Sequence, residues 1–260
     1  MSGSSGGRVL ERPPSARKNG AITCWDDEAM RRLLVLWDID HTLIDGGTTA
    51  RAAYDAAFLR ATGRRLEHDW RFDGRTELAA ASEVLEVHGV STGDGMLDRF
   101  LELIVEELEA RADELAAGGR VLPGAAEALT AVGELPGVSQ TVLTGNLYPL
   151  AVLKMNAFGL AGHVDFRIGA YGGDAFERHD LPRHAFLRAE THLGHPYGGH
   201  DTVIVGDTLR DVTTAKGAGA WAVAVATGTD SPAALHAAGA DVVLPDLSDT
   251  PAVLAALSRN

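Results

Sequence analysis

Two aspartates two residues apart, Asp38 and Asp40, stand at the end of an apolar run, Leu33 to Trp37. Five apolar residues in a row suit a strand buried on both faces of a parallel sheet. Such a strand has no inexpensive place for two carboxylates, because burial and mutual repulsion both oppose ionisation. They must lie at the strand's C-terminal end, meet a cation, or share a proton. Two later stretches end in the same way. Gln140 to Leu143 leads into Thr144-Gly145-Asn146, and Thr202 to Val205 leads into Gly206-Asp207, with Asp211 four residues on. In a parallel sheet all three ends lie on one edge, where open α/β folds bind ligands. A hydroxyl among several carboxylates makes sense around a cation, and an oxygen-only donor set suits magnesium with a phosphate oxygen completing its shell. With that charge reduced, an aspartate can attack phosphorus. A second carboxylate nearby can protonate the leaving oxygen and then activate water.

The elements that must position these groups follow from patterning. After Asp45-Gly46-Gly47, a turn or hinge, helical spacing runs over Thr48 to Thr62, Arg75 to His88 and Met96 to Leu115. Residues 46–118 therefore read as an all-helical insert. From Val121 strands and helices alternate: a helix from Pro123-Gly124 to Leu135, the strand before Thr144 and a helix to Phe158. A strand over Val164 to Ile168, a helix from Leu181 to His192, and the strand before Asp207 come next. The chain then gives a helix to Gly217 or Gly219, strands over Trp221 to Val225 and Asp241 to Leu244, and short helices after Ser231 and Thr250. Alternation of this kind implies right-handed crossovers and a Rossmann-like, three-layer α/β core with a parallel sheet. The expected organisation is a flexible extension over residues 1–30, a core from residues 31–45 and 119–260, and a helical cap over residues 46–118.

The chain has 260 residues, 45% of them hydrophobic, and a net charge of −13. That charge, with no basic stripe, argues against nucleic acid or an anionic membrane as the main partner. No apolar run approaches a membrane span and no apolar signal segment follows the start, so cytoplasm is the expected location. Cys24, alone, permits neither an internal disulfide nor a cysteine metal site. The ten histidines do not cluster at metal-ligand spacing.

Taken together, DIDHT at 38–42, Thr144 at its strand end and GDTLRD at 206–211 resemble the haloacid dehalogenase superfamily of phosphohydrolases. The insert, FDGRT at 72–76 and LPG at 122–124 resemble its phosphoglycolate phosphatase-like branch, which carries a helical cap after the first motif. The resemblance implies a magnesium-dependent phosphomonoester hydrolase of a small phosphorylated metabolite. It makes Asp38 the nucleophile and a metal ligand. Asp40 becomes the general acid/base, with its backbone carbonyl on the metal. Thr144, helped by the amides of Gly145 and Asn146, would hold the phosphoryl group. Asp207 would bind the metal directly, and Asp211 through water or by orienting Asp207. Thr42 reads as a turn-stabilising hydroxyl. A phosphomutase would use the same intermediate. A 2-haloacid dehalogenase is opposed by Asp40 and by the Asp207/Asp211 pair, and a non-catalytic phospho-ligand-binding protein by the intact set.

One departure stands out. The family usually carries a lysine before the last motif, and here the stretch is DAFERHDLP, with Arg178. Arg178 is the favoured second cation, with an ion pair to Asp180 or Glu177 as its plain alternative. Lys154, ten residues past Thr144, is the other candidate, but about two helical turns must be spanned by its side chain, and helix-surface solvation is its plain alternative. Arg75, between Gly74 and the helix-opening Thr76, is expected to face the aspartates and bind the anionic part of a leaving group.

Overall fold

The computed structural model describes Met1, residues 32–67 and residues 74–258. Apart from Met1, the expected N-terminal extension with Cys24 lies outside the described residues, as do Phe72 and Asp73 of the FDGRT stretch.

The core is a parallel five-stranded sheet in the order β4-β1-β5-β6-β7. Its strands are β1 (Leu33–Trp37), β4 (Val138–Val142), β5 (Thr202–Gly206), β6 (Trp221–Val225) and β7 (Val242–Leu244). Alternate residues of β1 point to opposite faces, as the pleat requires. Leu33, Val35 and Trp37 join one apolar cluster and Leu34 and Leu36 another. The first cluster takes in α5 (Ala125–Gly133), α6 (Tyr148–Ala157) and α10 (Thr250–Leu257); the second takes in α7 (Leu181–Leu193), α8 (Leu209–Gly217) and α9 (Pro232–Ala237). A Rossmann-like three-layer arrangement results. The register sets Trp37 beside both Val142 and Val205, so the chain leaves β1, β4 and β5 at one level of one sheet edge.

Between β1 and α5 the chain makes a two-residue antiparallel ribbon, β2 (Ile44–Asp45) with β3 (Arg120–Val121), across which Arg120 pairs with Asp45 at 2.6 Å. The described residues between these strands form α1 (Thr49–Thr62), α2 (Glu77–Val87), α3 (Met96–Glu109) and α4 (Ala112–Gly118). The expected third helix thus breaks in two. Arg111 leaves the helical region, and Leu115 of the second piece is fully buried. Tyr54, Phe58 and Phe100 pack edge to face in the centre of the insert, and Leu150 of α6 joins their cluster from the core side.

A second correction concerns Val164 to Ile168, expected as a strand. Phe166–Ile168 form a 3-10 turn instead, and the stretch is tied to the sheet by the Asp165 amide on the Gln140 carbonyl at 3.1 Å and by a bridge between Leu143 and Ala170. The Asp165 carboxylate accepts a hydrogen bond from the Arg167 amide at 3.0 Å, a local turn that competes with strand geometry. Among the described residues, no helix is long and apolar enough to cross a membrane.

The insert closes on the core through backbone. At the start of α2, the Glu77 amide donates to the Gly145 carbonyl at 2.8 Å and the Leu78 amide to Gly172 at 3.2 Å. The Thr76 hydroxyl caps α2 and also donates to the Phe176 carbonyl at 2.6 Å. A Cβ on Gly145 would lie 1.9 Å from the Arg75 carbonyl oxygen. Gly145→Ala should therefore push α2 off the core. The expected overpacking cost is about 1–3 kcal/mol, visible as a lower Tm, and an unchanged melting curve would refute the contact.

Candidate active site

The three strand ends converge as the sheet register requires. Asp38 extends β1, its amide donating to the Val205 carbonyl at 2.8 Å, and it is buried. The next turn is tight: His41 has a positive φ of 60°, a region that residues other than glycine seldom visit. The Thr227 hydroxyl donates to its carbonyl, and its own amide donates to Ile44 at 2.7 Å. The turn brings the Thr42 hydroxyl to Asp207 Oδ1 at 3.1 Å. Thr42 is thus more than the turn-stabilising hydroxyl its sequence position suggests; it fixes one oxygen of the second strand-end carboxylate.

Asp211 is the third residue of α8. Its Oδ2 accepts from the Thr208 amide at 3.0 Å and the Thr208 hydroxyl at 2.6 Å, a reciprocal helix cap. Two glycines make room for the acids. A Cβ on Gly206 would lie 2.2 Å from the Asp211 carboxyl carbon, and one on Gly228 would lie 1.8 Å from Asp207 Oδ2.

Asp38, Asp207 and Asp211 each offer an oxygen within 4.8 Å of the others. Their electrostatics are unfavourable without a further cation. Burial, then Asp38 and Asp211, push the Asp207 carboxyl up to about 9. Burial also raises Asp38, to about 7, where Arg178 pulls against it and Asp211 adds to it. Arg178 is itself buried. Its Nη2 donates to Asp38 Oδ1 at 2.7 Å and to Asp211 Oδ1, and its Nη1 to the Gly74 carbonyl at 3.1 Å. Burial disfavours the guanidinium charge, but Asp211 and Asp38 outweigh it and raise its pKa. One guanidinium against three carboxylates leaves net negative charge among oxygen donors. This donor set fits a hard divalent cation.

Both candidate cations reach the strand ends, by different routes. Arg178 does not pair with Asp180 or Glu177 but with Asp38 and Asp211. Lys154 is not a solvated helix-surface residue. It is 5% exposed, and its Nζ donates to Asp40 Oδ1 at 2.8 Å, to Asp40 Oδ2 at 2.7 Å and to Asn146 Oδ1 at 2.7 Å. The side chain leans back along α6 towards the strand end and closes the two-turn gap. Asn146 Nδ2 donates to Asp40 Oδ2 and to the Thr144 hydroxyl, each at 2.7 Å. Burial opposes the Asp40 charge, yet Lys154 and Asn146 prevail and hold this carboxyl below the usual range. The two aspartates of the first motif therefore sit in opposite environments, Asp38 pushed up and Asp40 held down.

These groups line one cleft between core and insert, a cavity of about 350 Å³ that also reaches Thr144, Gly145 and Arg75. Arg75 differs from expectation. It lines the cleft, but its guanidinium pairs with Glu83, two turns along α2. A partner on the helix that follows it takes this charge. His179 is exposed. The residue that sequence reasoning missed is Glu77. It opens α2 and lines the cleft, and its Oε2 is buried and accepts no hydrogen bond. Burial pushes this carboxyl up to about 7. An acid in the first turn of a helix is ordinary dipole complementation, so its type gave no signal; only the docking of α2 on Gly145 turns it inwards.

The fold is similar to that of several solved structures. CbbY from Rhodobacter sphaeroides in complex with phosphate superposes with a TM-score of 0.67 at 20% identity, covering 85% of this chain and 98% of that one. A predicted phosphatase from Clostridium acetobutylicum gives 0.65 at 19% identity, covering 86% and 99%. A hydrolase from Pseudomonas syringae gives 0.62 at 23% identity, covering 85% and 96%. No match was found among curated proteins. Residues 35–216, which hold all three strand ends, match the haloacid dehalogenase-like hydrolase family. The chain belongs to that family, the haloacid dehalogenase-like hydrolases.

Proposed function

We propose that the protein is a magnesium-dependent phosphomonoester hydrolase of a small phosphorylated metabolite, working through an aspartyl-phosphate on Asp38. The observation that carries this reading is the pairing of a buried Asp38, charge-matched by Arg178, with a second carboxylate, Asp40, held apart on Lys154. One carboxylate can then attack while the other handles protons. Phosphate bound to the structurally similar CbbY supports the same chemical class.

Asp38 attacks phosphorus, and the bond from phosphorus to the leaving oxygen breaks. Asp40, ionised on Lys154 in the resting cleft, takes up a proton from solvent as the substrate's negative charge arrives and gives it to that oxygen. It then removes a proton from water, which attacks the acyl phosphate and returns Asp38 as a carboxylate with release of phosphate. Thr144 and the amides of Gly145 and Asn146 hold the phosphoryl oxygens. Arg178 keeps Asp38 oriented and counters the charge of the incoming phosphate. Asp38, the Asp40 carbonyl, Asp207 and Asp211 would hold magnesium, which when bound withdraws charge from the phosphoryl oxygens.

Release of phosphate from p-nitrophenyl phosphate tests the reading. Magnesium should support turnover, and chelation should remove about 99% or more of it, reversibly, as expected when electrostatic stabilisation is lost. Equal turnover with and without magnesium, or dehalogenation of a 2-haloacid instead of phosphate release, would overturn it.

A further inference from the structure

The cleft contains one acid that the proposed chemistry does not use. Glu77 enters from the insert side, on the first residue of α2, with its backbone amide tied to the Gly145 carbonyl. Its Oε2 is buried without a hydrogen-bond donor. The nearby cations are engaged elsewhere. Lys154 directs its hydrogen bonds to Asp40 and Asn146, and Arg75 is turned to Glu83. The rest of the insert side is walled by Ala53, Ile104 and Leu108, by the ring of Tyr54 and by Arg51, which pairs with Asp55 at 3.0 Å, and Leu150 of α6 closes the cleft from the core side. Buried polar oxygens are almost always satisfied, so an unsatisfied one at the wall of a ligand cavity needs a reason. A hydrogen-bond donor carried by the ligand supplies it.

Resting on the phosphomonoesterase reading, we infer that Glu77 is the specificity-determining residue of the cleft. It selects phosphomonoesters whose leaving alcohol carries a hydrogen-bond donor, an ammonium or a hydroxyl. A leaving group that ends in a carboxylate meets a second acid there, while Arg75 is paired with Glu83. A purely apolar one leaves Glu77 as it is, unpaired. A site built around a hydrogen bond discriminates strongly against analogues that lack it, because the buried partner is then stranded. The phosphoryl end is held by the strand ends whatever the leaving group, so discrimination falls on the insert side, where Glu77 sits.

Four probes of nearly equal size test this: 2-aminoethyl, 2-hydroxyethyl, propyl and carboxymethyl phosphate. Their binding is measured by calorimetry on the full chain carrying Asp38→Asn, in which turnover should be lost, with magnesium in excess so that its weakened site stays filled. The aminoethyl or hydroxyethyl ester should bind about tenfold or more tighter than the propyl and carboxymethyl esters. A stronger aminoethyl ester identifies ammonium as the matching group, and a stronger hydroxyethyl ester identifies hydroxyl. Adding Glu77→Leu should erase the preference. Glu77→Gln, which keeps shape and one acceptor oxygen, should erase the ammonium preference while retaining any hydroxyl preference, and it guards against misfolding of the leucine variant. Carboxymethyl phosphate binding as tightly as the donor-bearing esters would overturn the inference. So would a preference that survives Glu77→Leu, or failure of all four probes to bind. Wild-type protein without phosphate release from p-nitrophenyl phosphate would instead overturn the hydrolase reading, and the order of probe affinities stands apart from that result.

Discussion

Asp38→Asn should lower magnesium-dependent phosphate release by about a thousandfold or more while leaving the metal-free fold at least as stable as before. The first half follows from chemistry. An amide is a poor nucleophile and a poor ligand for a hard cation, and no neighbouring carboxylate is placed to substitute. Asp207 and Asp211 are fixed by Thr42 and by the α8 cap, respectively. The second half follows from linkage. Asp38 is raised from 3.8 to about 7 in the folded protein, first by burial. A carboxyl raised by folding contributes stability that is fully present below its unfolded pKa. That contribution is lost as pH rises through the folded value. Above pH 7, then, the Asp38 charge works against the metal-free fold, and asparagine removes that charge while its side-chain oxygen can still accept from Arg178. In chelator at pH 8 the variant should melt at or above the wild-type temperature, and at pH 4 the advantage should be gone. Activity above a tenth of wild type would reject Asp38 as nucleophile. A lower Tm at pH 8 would reject the repulsion that burial imposes on this acid.

Where the sequence was legible, the reason is geometric economy. A parallel sheet sends every strand end to one edge, so apolar runs that stop at Asp38, Thr144 and Asp207 must bring those groups together once the runs are recognised as strands. The layering followed as well, because alternation of strand and helix permits few other packings. What escaped depended on directions that a one-dimensional pattern does not encode. Lys154 lies two turns into α6, and whether its ammonium meets Asp40 depends on how that helix leans over the strand end. Arg75 stands beside the cleft, yet a glutamate in the second turn of the following helix takes its charge. Glu77 reads as routine helix-start chemistry until Gly145 is seen to receive its amide. The expected strand over Val164 to Ile168 has the right composition, but Asp165 caps a 3-10 turn there through the Arg167 amide.

The division of labour between the two cations yields the other large effect. Arg178→Met should reduce turnover by about 10²–10³-fold, as loss of a preorganised charge at the reacting centre does. It should also destabilise the metal-free protein by about 3–5 kcal/mol, the usual result of removing one partner from a buried ion pair. Asp38 and Asp211 would then face Asp207 with no guanidinium between them. The stability loss should be largest above pH 7 and fade as pH falls, because protonation of Asp38 and Asp207, both raised by burial, removes the repulsion. Lys154→Met should act on the other aspartate. Asp40 is held low, with burial opposing and Lys154 and Asn146 prevailing. A carboxyl depressed by folding contributes stability above its unfolded pKa of 3.8, lost as pH falls through the folded value. Without Lys154 that contribution shrinks and the Asp40 pKa rises. Water activation needs Asp40 ionised, so the acid limb of kcat should move to higher pH in Lys154→Met. The same limb should stay in place in Arg178→Met, whose partner is Asp38. Turnover in Lys154→Met at neutral pH should fall by roughly 10²-fold, within the range for impaired acid–base catalysis. Stopped-flow measurement of the two steps with p-nitrophenyl phosphate separates them: Arg178→Met should slow the burst, and Lys154→Met the decay of the aspartyl-phosphate. Equal shifts of the acid limb in both variants would mean that Asp38 and Asp40 share one electrostatic environment. The opposite offsets of the two carboxyls would then have no bearing on catalysis.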